Sequence, residues 1–479
     1  MNDLGKRMTW AGGSGQAWGI ALIPLVWFAV WLGLHMDVLG ARLIHFSGRD
    51  MVFGVEFDYV MGLFWWFLLA AFILVCFEGE QRRLLSIGWL AKLCVTLGAM
   101  LVYEQHYDLD SYNYFRTAVS GEFWLYPGYD FRQDMVPSWR PLEGPGVLIG
   151  LGAGIGTENM ARCMVIMASI MGPFYHALKV GFAFLGLLGS WWFYRAVVAA
   201  LGKPYPQAFY LLVFFPSILF WSSIIGKDPV QFLFLGIYAY GGVLWLAHGR
   251  LAGLWYVGCG AYGVYLLRPW TGLYAVALLV LVSILGRSRV WQKGMCIAVS
   301  IVVVSQMSQE GLYTAVGLDI LSEPEKFQEL LESKAEGMAQ GAGARGGEEV
   351  VRGDGSLAKA IVSGLFRPLP FDVTNPFTAL AAIENSVILL LALVALFRFR
   401  IAYLRDPLVL WPLLMSLSWA LLYGFIVMVN FGSGVRYKLQ VWPFFLMVVV
   451  CLVHREGRAL LDARAGRRQA RWSAARRLP

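Results

Sequence analysis

The stretch Ala379-Leu-Ala-Ala-Ile-Glu-Asn-Ser-Val-Ile-Leu-Leu-Leu-Ala-Leu-Val-Ala-Leu-Phe397 decides the fold class. It matches the ~20 apolar residues that a helix needs to cross a bilayer core. It stops at Arg398 and carries one charge, Glu384. Comparable runs recur along the chain, and the expected spans are 17–36, 57–77, 84–103, 175–198, 207–224, 229–247, 251–267, 270–286, 294–308, 379–397, 407–429 and 440–453. Only 15% of the 479 residues are charged, against about 25% in a soluble protein. The mean hydropathy is +0.60. These features predict an all-α, polytopic transmembrane helical bundle of about 12 spans. They exclude a soluble enzyme with one tail anchor, and a disordered chain.

Charge sets the expected topology. The formal net charge is +8. Basic residues fall in alternate loops: Lys6 and Arg7, Arg82 and Arg83, Arg195 and Lys203, Arg250, Arg287 to Lys293, and Arg398 to Arg405. The tail from His454 adds eight arginines against two acids. The positive-inside rule puts these loops and both termini in the cytoplasm, with the tail on anionic lipid rather than nucleic acid. The opposite loops are 104–158, with eight acids against three arginines, and 309–378. Within the second, Ser322-Glu-Pro-Glu325 reads as a helix start, and Gly341–Gly347 as a linker. The organisation is therefore N-terminal spans (1–103), a first outer loop with interfacial helices (104–174), central spans (175–308), a second outer loop (309–378), C-terminal spans (379–453) and a basic tail (454–479). The stretch 146–173 is interrupted by glycines, Glu158 and Pro173, which suits a helix at the outer interface.

Three polar clusters stand out at the expected outer face. The first is Tyr103-Glu-Gln-His-Tyr-Asp-Leu-Asp-Ser-Tyr-Asn-Tyr-Phe115, in which Asp108 pairs by helical spacing with Tyr112, and Asp110 with Tyr114. A carboxylate there could serve as general base on a sugar hydroxyl, with Glu104 a rival; a solvated acidic loop is the plainer reading. The second cluster ends at Lys227-Asp228, either a self-neutralising turn pair or a lysine facing phosphate with Asp228 orienting it. The third is a set of arginines at outer span ends: Arg268, Arg367 and Arg436, with Lys438 close by. Arginine grips phosphate with a planar, two-pronged donor; a snorkelling anchor is the alternative. Glu384, inside a span, is a functional candidate or the partner of one of those arginines. Lys92 and Lys179 are expected to snorkel.

The six cysteines, Cys76, Cys94, Cys163, Cys259, Cys296 and Cys451, form no C-x-x-C pair, so neither a disulfide frame nor a zinc site is indicated. No phosphate-binding P-loop, Rossmann fingerprint, H-E-x-x-H or G-x-S-x-G is present. No cofactor is indicated; Asp108-Leu-Asp110 has the spacing of a metal-binding acid pair, which leaves a divalent metal open.

Asp110-Ser-Tyr-Asn-Tyr114 resembles the D-x-x-x-Y element after an early span of bacterial exopolysaccharide and capsule polymerases. Gly156-Thr through Tyr194-Arg195, Pro216-Ser-Ile-Leu-Phe-Trp-Ser-Ser, Gly226-Lys-Asp, Arg268-Pro, Phe366-Arg-Pro-Leu-Pro-Phe-Asp and Arg436-Tyr are similar to a group of bacterial membrane proteins that look like GT-C-type glycosyltransferases. The resemblance covers about residues 100 to 440. It implies an inner-membrane enzyme moving a sugar from, or onto, a polyprenyl-phosphate-linked carrier at the outer face, in polysaccharide biosynthesis beside other membrane proteins of that process. It also implies a catalytic base at Asp110, which here follows the third expected span rather than the first. The competing expectations are a transporter or flippase of polysaccharide or lipid-linked sugar, and a non-catalytic component of a surface assembly.

Overall fold

The computed structural model describes residues 54–106, 111–112, 114–115, 156–285, 290–305, 357–373, 376–427, 431–453, 459 and 462–463. The expected span 17–36, Asp108, Asp110, the Ser322 helix start, the Gly341–Gly347 run and most of the basic tail lie outside these residues. Among the described residues all regular structure is helical. In chain order the helices are α1 (Val55–Cys76), α2 (Gly79–Cys94), α3 (Met100–His106), α4 (Gly156–Met171), α5 (Tyr175–Leu201), α6 (Pro206–Phe214), α7 (Pro216–Trp221), α8 (Lys227–His248), α9 (Ala252–Leu267), α10 (Pro269–Leu285), α11 (Val290–Ser305), α12 (Leu357–Phe366), α13 (Pro376–Phe397), α14 (Pro407–Val427), α15 (Phe431–Tyr437) and α16 (Trp442–Val453).

Five stretches among them are long and apolar enough to cross a membrane: Val55–Cys76, Gly79–Glu104, Tyr175–Leu201, Lys227–His248 and Thr378–Phe397. The pair Gly434–Gln440 and Trp442–Val453, bent by 63°, is either a broken sixth span or a re-entrant loop. The protein is thus a multi-span helical membrane protein. The described residues form two compact units, divided at 140/141, 159/160, 187/188, 222/223 and 226/227.

In the first unit, α1 turns Phe57, Phe64, Phe72 and Val75 outward and buries Tyr59, Leu63, Trp66 and Ile73. An apolar outer face is what lipid tails accept. Trp66 stacks on Trp89 of α2 with 5.9 Å between ring centroids. Each indole N–H donates to the other residue's carbonyl, at 3.3 and 3.0 Å. A π-helical turn, Val95–Ala99, joins α2 to α3.

The second unit is organised by α8 and α9. A Cβ on Gly260 would lie 2.5 Å from the Tyr238 backbone nitrogen, and one on Gly241 2.6 Å from the Gly253 carbonyl oxygen. Glycine at these crossing points lets two membrane helices touch backbone to backbone. The Tyr238 hydroxyl donates to the Ala275 carbonyl of α10 at 2.6 Å and accepts from the Trp411 indole of α14 at 3.0 Å.

Several expectations are corrected. The run 207–224 is not one span: Pro216 lacks the amide N–H that would continue the helix, so α6 stops at Phe214, α7 starts at Pro216, and Ser222–Gly226 is non-helical. Within the stretch 146–173, expected to hold a helix, the described part is the helix α4, which runs through Glu158 and ends before Pro173. Lys92 and Lys179 do not snorkel; they are 1% and 0% exposed.

Candidate functional site

In the second unit, three helix joints bring charge together. α8 opens with Lys227-Asp228-Pro229, and proline is tolerated in a first turn because those amides have no intrahelical acceptor. The acid in that turn also complements the helix dipole. α9 ends at Leu267 because Pro269 disfavours helical backbone at the residue before it; Arg268 is extended, with φ −144° and ψ 90°. Arg436 occupies the last turn of α15, just before the 3-10 turn Lys438–Gln440 and the bend into α16.

The Asp228 carboxylate is shared between the two arginines. Arg268 Nη2 donates to Oδ1 at 2.9 Å, and Arg436 Nε donates to Oδ2 at 2.5 Å. The Asp228 side chain is 1% exposed, but those of Arg268 and Arg436 are 13% and 19% exposed. The Arg268 guanidinium carbon lies 4.3 Å from the Tyr437 ring centre, and that of Arg436 lies 5.8 Å from the Trp221 ring centre. Buried Arg268 Nε has no hydrogen-bond partner among the described residues.

Around this triad lies a second set of polar contacts. Lys438, 0% exposed, donates from Nζ to the Arg367 carbonyl at 2.5 Å and to Asn385 Oδ1 at 3.1 Å. The Asn385 amide in turn donates to the Pro368 carbonyl at 2.9 Å. Glu384 accepts from the Ser217 N–H at 3.0 Å, and from the Ser217 hydroxyl. The arginine expected to pair with Glu384 is therefore replaced by an amide and a hydroxyl, because the break at Pro216 presents both to it. The Thr271 hydroxyl donates to Gln440 Oε1 at 3.2 Å. The Arg367 guanidinium turns onto Asp372, with Nε 3.0 Å from Oδ2 and Nη2 bonded to Oδ1. Burial pushes the Asp372 carboxyl up, but the Arg367 and Leu369 N–H donors and the Arg367 charge outweigh it and hold it below the usual range. The hydrogen bond to Asp372 raises Arg367 in turn.

The first unit has its own buried polar network, which sequence reasoning missed. Asp58 of α1 accepts from the Tyr175 and His176 amides, each at 2.8 Å, and bonds His176 Nδ1 at 2.7 Å. It thereby caps α5 from another helix. Lys179 donates to both Glu104 oxygens at 2.9 and 3.0 Å, and the Tyr175 hydroxyl donates to Glu104 at 2.9 Å. Glu104 is thus a held carboxylate, 1% exposed. Ser111 Oγ meets the Tyr175 hydroxyl at 3.1 Å, and Tyr112 stacks on the Tyr175 ring at 5.2 Å. Glu104, Tyr112 and Lys179 were each legible in the sequence, but for Asp58 and His176 the only signals were an acid near the start of an apolar run and a histidine opening another.

Of the expected site residues, Tyr112 and the buried Tyr114 belong to the first unit. Lys227, Asp228, Arg268, Arg367, Glu384, Arg436 and Lys438 belong to the second. Asp108 and Asp110 lie outside the described residues. Among the described residues no group of three or more His, Cys, Asp or Glu side chains is placed to hold a metal. Chemically, the second unit presents two partly accessible guanidiniums bonded to one buried carboxylate. No protein-family model, curated protein or solved structure matches the chain.

Proposed function

We propose that this membrane protein is a glycosyltransferase or polysaccharide polymerase of GT-C-like architecture, using a polyprenyl-phosphate-linked sugar at the outer membrane face. The observation that carries the reading is Arg268 and Arg436 meeting on Asp228 at two helix joints. In sugar transfer from such a donor, the bond from the anomeric carbon to the phosphate oxygen breaks and negative charge grows on the leaving phosphate. Preorganised cations aimed at that charge stabilise the transition state. Asp110, with Asp108 as rival, would take the proton of the acceptor hydroxyl. The test is sugar transfer by purified protein from a polyprenyl-phosphate-linked donor, with Arg268→Lys and Arg268→Ala beside wild type. Both variants are expected to lose transfer, the lysine because it keeps charge but loses the fork. Normal turnover in both would overturn the assignment.

The 63° bend between Gly434–Gln440 and Trp442–Val453 favours a second reading. Discontinuous helices line the substrate sites of transporters. Movement of a lipid-linked sugar across proteoliposomes without glycosidic bond formation would select it.

A further inference from the structure

We propose that Arg195 binds the head-group phosphate of an anionic membrane lipid, at a site in the second unit apart from the Asp228 joint. Arg195 lies in the last two turns of α5, about 9 Å along the axis from Leu201. Its guanidinium carbon is 5.1 Å from the Trp191 ring centre, 5.9 Å from that of Trp192, and 5.1 Å from that of Tyr240 in α8. Tyr256 of α9 completes the frame, with its ring 5.3 Å from Tyr240 and 5.6 Å from Trp192. Tyr240 is about 18 Å further along α8 than Asp228, so the two sites are separate.

The rings hold the cation without using its hydrogen bonds. Cation–π attraction acts through the ring quadrupole and needs no acceptor atom. One N–H, on Nη2, goes to the Tyr240 hydroxyl at 3.1 Å, and this is the guanidinium's one polar partner among the described residues. The residue is half-buried, which leaves the other donors within reach of a ligand. Two oxygens of a phosphate match two neighbouring guanidinium N–H groups. Tyr240 and the rings set the fork in place before the ligand arrives, which lowers the ordering cost of binding.

Three observations favour an anionic lipid. Tryptophan and tyrosine gather at the depth of lipid head groups, and this frame is made of them. The surface beside it is apolar, with Leu251 and Trp255 at the start of α9 50% and 73% exposed, which suits a ligand with a hydrocarbon tail. The local charge is also of one sign. From Asn159 to Gln309 the sequence has one acid, Asp228, at the far end of α8. Lys203 and Arg250 follow the ends of α5 and α8. Those ends lie side by side, since His248 Nε2 is 2.9 Å from the Ala199 carbonyl oxygen. Basic residues between membrane helices favour anionic over zwitterionic head groups.

The test adds phosphatidylglycerol or phosphatidylcholine to the purified full chain in detergent and follows binding by native mass spectrometry. Wild type should hold phosphatidylglycerol the more tightly; equal binding of the two lipids would overturn the proposal. Arg195→Gln should weaken phosphatidylglycerol roughly fivefold, the worth of one basic residue at an anionic surface, and leave phosphatidylcholine unchanged. Arg195→Lys should fall between, since it keeps the charge and loses the fork. Unchanged phosphatidylglycerol binding in Arg195→Gln, with or without a loss of thermal stability, would show that the arginine only packs against its rings. Equal weakening of both lipids would likewise reject an anion site. Inorganic phosphate that displaces the lipid at equal concentration would reassign the site to free phosphate. Should Arg195→Gln not fold, wild type decides the matter. A phosphatidylglycerol with a photoreactive head group should cross-link to the segment around Trp191, Trp192 and Tyr240, and cross-links confined to other segments would refute the assignment.

Discussion

Lys179 of α5 places its ammonium nitrogen 2.9 and 3.0 Å from the two carboxylate oxygens of Glu104, and neither side chain is more than 1% exposed. The pair joins the first turns of one expected span to the end of another. Removing one member leaves the other as an uncompensated buried charge, which costs about 3–5 kcal/mol. Lys179→Met should therefore lower the thermal midpoint of the solubilised protein substantially. Lys179→Met/Glu104→Gln should recover most of that loss, because the amide can still accept from the Tyr175 hydroxyl. A double variant no more stable than the single one would show that the pair is not coupled.

Gly260 and Gly294 make a contrasting pair in the second unit. A Cβ at Gly260 meets backbone of α8 at 2.5 Å, whereas one at Gly294 meets nothing within 4 Å. Gly260→Ala is expected to force α8 and α9 apart, costing about 1–3 kcal/mol as overpacking does. Gly294→Ala should be neutral or stabilising by up to ~1 kcal/mol, the helix propensity gain of alanine over glycine. Thermal unfolding of both variants in one detergent checks the ordering.

Glu384 supplies a third comparison. Its carboxylate accepts from both the N–H and the hydroxyl of Ser217. Glu384→Gln keeps an acceptor for one of these donors, whereas Glu384→Ala leaves both unsatisfied, at about 1–3 kcal/mol for each buried group. The alanine variant should be the less stable, and Ser217→Ala/Glu384→Ala less damaged than the sum of its parts. Additivity within error would dismiss the contact.

What the sequence made legible follows from what single-sequence signals carry. Apolar length is a local property, so 379–397 was read close to the observed helix Pro376–Phe397, and 229–247 close to Lys227–His248. The Phe215-Pro216 break was also locally written, since proline cannot donate to the helix, yet the run 207–224 was taken as continuous on hydropathy alone. Pairing is non-local. Asp58 and His176 are 118 residues apart, and nothing in either neighbourhood marks the other. Lys92 and Lys179 illustrate the same limit: a lysine near an apolar run reads as snorkelling until an inward-facing position or a partner such as Glu104 is visible. In the site itself, residue types at interrupted spans pointed to Asp228, Arg268 and Arg436, but the sharing of one carboxylate by two arginines required the fold.

The Arg367–Asp372 pair gives a pH-dependent prediction with a definite sign. Asp372 is held below the ordinary carboxylate value despite its burial, because the Arg367 and Leu369 N–H donors and the Arg367 charge favour the ionised form. A group whose folded pKa is depressed contributes stability above its unfolded pKa, about 3.9 for aspartate. That contribution disappears as pH falls through the lower folded value. Wild type and Asp372→Asn should therefore differ in thermal midpoint by a constant amount from neutral pH down to about 5, still above the unfolded pKa. The gap should close progressively below about pH 4, where the unfolded carboxyl begins to take up its proton. The ion pair is partly accessible, with side chains 22% and 5% exposed, so added salt should narrow the gap at neutral pH as well. The measurement is a pH series of melts at low and high salt for both proteins. A gap that widened toward acid would reverse the sign and rule out an ionised, arginine-bound Asp372.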